Sequence, residues 1–195
     1  MGATFNIKSI REKILTNNKT KSAVISLAED RVLQKKNDFI NSFENHPVTQ
    51  EINGGPNSSN ISRTLGGYGN LFSFIGFESS SSPVGNVLDL IKKINILKNS
   101  LKINASKNIY SINVRTPGLE NFGNITKMPW ESGRSWLLDI EKTISGVGAY
   151  LYGKFSTSRS GSGIQSKYNY SNVSFKSVKY FQTLYNNFLK SLNRR

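Results

Sequence analysis

The chain has 195 residues, no cysteine and one histidine, and carries 26 Lys or Arg against 12 Asp or Glu, a formal charge of +14. This excludes a disulfide framework and a thiolate zinc site, disfavours a built-in transition-metal centre, and allows one domain with elaborations and a core of its own. The charge is one-sided: after Glu141 the last 54 residues hold nine bases and no acid, which points to a polyanionic neighbour or an acidic protein partner.

Residues 1–21 mix Lys8, Arg11, Lys13, Lys19 and Lys21 with Phe5, Ile7, Ile10, Ile14 and Leu15. They read as a basic N-terminal arm or short helix, ended by Thr16-Asn17-Asn18. From Ser22, a candidate cap, Ile25, Ala28, Val32, Phe39 and Phe43 repeat at helical spacing, predicting a helix over about 22–45 that stops before Pro47. Residues 53–70 are a long Gly/Asn/Ser loop. The short aromatic run Leu71–Phe77, bounded by turn residues, predicts a strand.

Val87, Leu90, Ile91, Ile94 and Leu97 predict a helix over about 84–98. Tyr110, Ile112 and Val114 alternate with polar residues, predicting a strand ended by Thr116-Pro117-Gly118; Leu101 and Ile103 open the same strand or pair with it as a hairpin. Trp136, Leu137, Ile140, Ile144, Val147 and Leu151 predict a helix over about 134–151, weakened by Gly146 and Gly148. Residues 153–166 are a Gly/Ser-rich loop, 168–175 a strand, and Val178, Phe181, Tyr185, Phe188 and Leu192 mark a closing helix over 177–193. The expected fold is α+β: a single domain over 22–195, with long helices on a small antiparallel sheet and loop insertions at 53–70 and 153–166.

No residue pattern carries a catalytic signature. His46, before Pro47, reads as a cap or packing residue, because no serine or cysteine elbow accompanies it. Gly66-Gly67-Tyr68-Gly69 lacks the spacing and the Gly-Lys-Ser/Thr of a phosphate loop, so its glycines read as permitting positive φ before a buried element. No cofactor, metal or small-molecule substrate is expected. Tyr168, Tyr170 and Tyr180 lie beside bases, as in sequence-tolerant single-strand binding, whereas Phe181, Tyr185 and Phe188 follow the helix stripe and read as core. The candidate contact residues are the cations Lys154, Arg159, Lys167, Lys176, Lys179, Lys190, Arg194 and Arg195 of the tail, with Lys8, Arg11 and Lys13 of the arm. No apolar run approaches the roughly 20 residues of a membrane helix, and Met1–Asn6 lacks a signal peptide's apolar core. Asn6 also stands where myristoylation at Gly2 needs Ser or Thr, so a chain used without secretion and without a membrane partner is expected.

Several blocks carry a resemblance: His46-Pro47-Val48-Thr49, Ser62-Arg63-Thr64-Leu65-Gly66-Gly67 with Leu71–Phe77, Pro129-Trp130-Glu131-Ser132-Gly133-Arg134-Ser135-Trp136, and Ser158-Arg159-Ser160-Gly161-Ser162-Gly163-Ile164-Gln165. These blocks are similar to virion proteins of marine-type contractile-tailed phages, and the order of elements over about 22–192 (an N-terminal helix, a Gly/Ser/Asn-rich stretch holding Ser62–Gly67, strands and a closing amphipathic helix) resembles the tail-completion or neck (head–tail connector) proteins of long-tailed bacteriophages. It departs from them in an insertion over about 79–108 and in the loop at 153–166. The resemblance implies a non-enzymatic virion protein, assembled in the host cytoplasm as a homo-oligomeric ring. Its neighbours would be other neck or tail proteins, with channel DNA near the basic surface. A tail terminator capping the tube or sheath and a basic, non-specific nucleic-acid-binding protein are the alternatives.

Overall fold

The computed structural model describes residues 6–65, 69–104, 106–129, 131–142, 154–155, 163–164 and 177–193. In chain order the elements are α1 (Ile7–Thr16), α2 (Asn18–Glu44), α3 (Pro47–Asn53), α4 (Leu71–Ile75), α5 (Pro83–Lys92), β1 (Asn95–Ile96), β2 (Lys102–Asn104), β3 (Ile109–Ser111) and β4 (Val114–Arg115). They are followed by α6 (Leu119–Ile125), β5 (Lys127–Met128), β6 (Glu131–Ser135), α7 (Trp136–Asp139), β7 (Lys154–Phe155), β8 (Gly163–Ile164) and α8 (Phe181–Asn193). The fold is α+β. The described strands form four separate antiparallel pairs, β1–β4, β2–β3, β5–β6 and β7–β8, instead of the one small sheet expected.

The chain divides into two compact units, residues 1–37 with 94–116, and residues 38–93 with 117–195. In the first, Asn6 caps α1 by accepting from Ser9 N at 3.2 Å. Asn17 ends α1 in an extended conformation and its side chain accepts from Lys19 N at 2.8 Å, so α2 starts at Asn18 and Ser22 lies inside it. Residues 95–115 are one long interrupted hairpin: Ile96 faces Val114 and Lys102 faces Ser111. Five residues, 97–101, thus oppose only 112–113, a bulge closed by Ser100 N donating to Leu97 O and by a mutual bond pair between Ser100 Oγ and the Asn113 backbone. Asn99 in the bulge and Asn108 just before β3 hold positive φ, which Asn tolerates better than most side chains. Tyr110 donates to Leu15 O, and Lys36 Nζ to Ile94 O. The predicted helix over 84–98 therefore stops at Lys92, and its last apolar residues belong to the hairpin.

The second unit holds most of the core. Phe39 and Phe43 of α2 meet Phe181, Tyr185 and Phe188 of α8, with Phe39 stacked on Phe188 at 5.0 Å between ring centres and Phe43 edge-on to Phe181 at 5.7 Å. Phe122 of α6 closes on Phe181 at 4.7 Å. The predicted strand 71–77 is the helix α4. Asn70 Oδ1 accepts from Ser73 N at 2.9 Å, and Gly76 (φ 85°) stops the helix with its N–H and that of Phe77 on Phe72 O. All five residues of α4 are buried, so no polar–apolar period distinguished helix from strand. Likewise the predicted helix over 134–151 opens as β6, paired with β5, and only after Ser135 caps Leu138 N does α7 begin. Residues 143–150 and the predicted strand 168–175 lie outside the described residues. The closing helix starts at Phe181, four residues later than its stripe suggested.

Candidate functional site

The buried polar groups are the first candidates for chemistry. Glu51, buried in α3, accepts from Leu71 N (2.7 Å), Asn60 Nδ2 (2.9 Å) and Ser62 N (2.8 Å). Asn70 Nδ2 adds bonds to Pro56 O and Ser58 O, and Asn60 Oδ1 accepts from Leu65 N. The long loop is therefore a built structure around one carboxylate, whose oxygens are turned to the loop and closed to solvent. A brace fits that geometry, and a general base reaching a substrate does not.

His46 sits at the start of α3. Its Nδ1 accepts from Val48 N at 3.3 Å and its Nε2 donates to Lys179 O at 3.0 Å, which defines the neutral tautomer. Burial holds the imidazole below its usual range, only partly offset by the Lys179 carbonyl and the charge of Glu141. Tyr180 packs on the ring and shares a 2.8 Å bond with Thr49 Oγ1, and burial pushes its phenol well above the usual range. Glu141 Oε1 accepts from Tyr180 N and Thr183 N, so a carboxylate distant in sequence caps α8. This cluster ties three segments together. It also removes Tyr180 from the stacking candidates, since its ring is fully buried. Among the described residues no group of three or more His, Asp or Glu is placed to hold a metal ion.

The features that face outward are of another kind, and they concentrate in the first unit. It holds twelve bases against three acids, +9 on 60 residues. Only Val32 and Ile94 of its described large apolar residues are buried, whereas Ile7, Ile10 and Ile14 of α1 are 63, 45 and 56% exposed. These three form one stripe at spacings of three and four, with Arg11 and Lys13 on its flanks. Between α2 and the bulged hairpin runs a groove of about 520 Å³, lined by the aliphatic residues Ile25, Ile96, Leu97, Leu101, Ile103 and Ile112 and by Asn99 and Ser100. Lys21, Lys98 and Glu29 stand on its rim.

Of the predicted contact cations, Lys8, Arg11 and Lys13 lie together on α1, all exposed. Lys8 and Arg11 share a shallow pocket with Ser106 and Asn108 of the hairpin. Lys179 and Lys190 are exposed at the two ends of α8's segment; the Lys179 carbonyl is engaged by His46. Lys154 lies in β7 with its side chain outside the described set; Arg159, Lys167, Lys176, Arg194 and Arg195 lie outside the described residues. The groove lining adds Lys21 and Lys98, which are not among the predicted contact cations, and for Lys98 the sequence held a cue. Residues 90–119 form a second acid-free run with six bases.

The class these features define is an α+β protein with one well-packed unit and one thinly cored, strongly basic unit that exposes aliphatic side chains. Compared with protein families, curated proteins and solved structures, the chain matches none. No helix among the described residues is long and apolar enough to cross a membrane.

Proposed function

We propose that this chain is a non-enzymatic structural subunit that assembles into a ring in the neck or tail of a bacteriophage, with the first unit as its contact surface. One observation carries the reading: a unit of 60 residues combines +9 of charge with an exposed isoleucine stripe and an open aliphatic groove. Exposed apolar patches rimmed by polar residues mark interaction sites. The blocks that resemble neck and tail proteins support the reading from the other side. His46–Thr49, Ser62–Leu65 and Leu71–Phe77 build the Glu51 brace and the second unit's core, the parts a shared scaffold would keep. Tail-terminator and connector positions are both compatible with such a subunit.

Light scattering over a wide concentration range, with electron microscopy of the particle, tests the proposal. Discrete rings are expected; a monomer at every concentration, with no ring in the particle, overturns it. The same charge favours a second reading, non-specific binding of nucleic acid. In that case affinity for single strands falls steeply with rising salt, because each neutralised phosphate releases counterions.

A further inference from the structure

We infer that the groove between α2 and the bulged hairpin receives an acidic amphipathic segment of a partner protein, apolar side chains down and carboxylates on the rim. The inference rests on the assembly reading above and names the chemistry of one neighbour.

Three observations carry it. The hairpin is built to open the groove: its three-residue excess at 97–101, locked by Ser100 and Asn113 and by the positive φ of Asn99, turns Leu97 and Leu101 into the groove lining. A bulge that re-aims side chains beside a concave surface is a recurring functional device. The groove is open, since Ile25 and Leu97 remain 36 and 41% exposed, and its apolar lining is entirely aliphatic, with Asn99 and Ser100 beside it. Among the described residues no aromatic ring lines it, so it offers nothing for bases to stack on, whereas the apolar face of a helix or strand fits it. The surrounding charge selects the sign of the partner: Lys21 and Lys98 stand on the rim within a unit of net +9, with Glu29 the one acid there. A second copy of this unit would set +9 against +9, and an acidic partner gains from steering and register instead.

The test uses the whole chain and a fluorescein-labelled synthetic peptide with Leu at positions i, i+3, i+4 and i+7 and Glu elsewhere, read by anisotropy at low salt. A scrambled peptide of equal composition, the same peptide with Lys for Glu, and a single-stranded oligothymidine serve as competitors. The proposal expects the acidic amphipathic peptide to bind, the scrambled and Lys peptides to bind at least about tenfold more weakly, and oligothymidine not to displace it. Leu97→Asp, at an exposed position, should weaken binding about tenfold or more, and Lys98→Glu should weaken it less while flattening its salt dependence. Circular dichroism on both variants should match the parent chain. Equal binding of all peptides, indifference to Leu97→Asp with fold retained, or displacement by oligothymidine overturns the inference. Light scattering on the parent chain separates the two proposals: rings that form while the parent chain fails to bind the acidic peptide reject the groove and leave the assembly reading standing.

Discussion

At the residue scale, the most consequential side chain is Glu51. It satisfies the backbone N–H groups of Ser62 and Leu71 and the side-chain amide of Asn60. Glu51→Ala should cost about 3 kcal/mol in urea unfolding, because it strands buried donors without solvent. Glu51→Gln keeps one acceptor and should cost less. His46 gives a pH dependence whose sign follows from its environment. The folded state prefers the neutral ring, so the stability it contributes is present above the unfolded value of 6.5 and is lost as pH falls through the lowered folded value. Protonation places an N–H opposite Val48 N and ends the cap. Glu141 and the Lys179 carbonyl, which face the ring, moderate the effect without reversing it. Thermal melts should therefore show a midpoint that drops on acidification over about pH 7 to 5, and His46→Asn, which keeps a cap acceptor, should flatten that drop.

At the element scale, α8 is held by aromatic packing. Phe181 touches rings from α2 and α6, and Phe181→Ala should cost about 3–5 kcal/mol by denaturant titration. Leu33→Ala, on the exposed side of α2, should change stability by no more than about 0.5 kcal/mol. This helix was legible in the chain because its period runs uninterrupted over three turns. Helix α4 was not, because a fully buried five-residue element has no polar face. Its markers were local ones, Asn70 before and Gly76 after, a cap and a left-handed stop about one and a half turns apart. The β6–α7 junction was misread for a related reason: Trp136, Leu137 and Ile140 fit a longer helical stripe, while Ser135, bonded to Thr126 and Leu138, marks where the backbone changes state.

At the scale of the whole molecule, charge is segregated by unit. The first unit carries +9; within the second, residues 38–93 and 117–141 carry −4 and residues 142–195 carry +9. Residues 1–141 thus carry only +5 because an acidic scaffold offsets part of the basic unit's charge. Reversing the sign of α1 with Lys8→Glu, Arg11→Glu and Lys13→Glu should abolish assembly in light scattering and leave the thermal midpoint nearly unchanged, since none of these side chains enters the core. A midpoint that collapses, or assembly that survives, would count against α1 as part of the contact surface.

By itself the sequence determined the α+β class, the long helix through Phe39 and Phe43, the aromatic face of α8, the role of His46 as a cap, and the basic excess. Each depends on spacing or composition, which a linear chain displays directly. The tertiary structure alone decided that Glu51 organises the loop, that Tyr180 is core, and that residues 94–116 fold back as a bulged hairpin beside α2. Those outcomes depend on pairings between residues far apart in the chain, as in the bond between Thr49 and Tyr180, 131 positions apart. Burial and hydrogen bonding reward such pairings only after the chain has closed on itself, so no local period announces them.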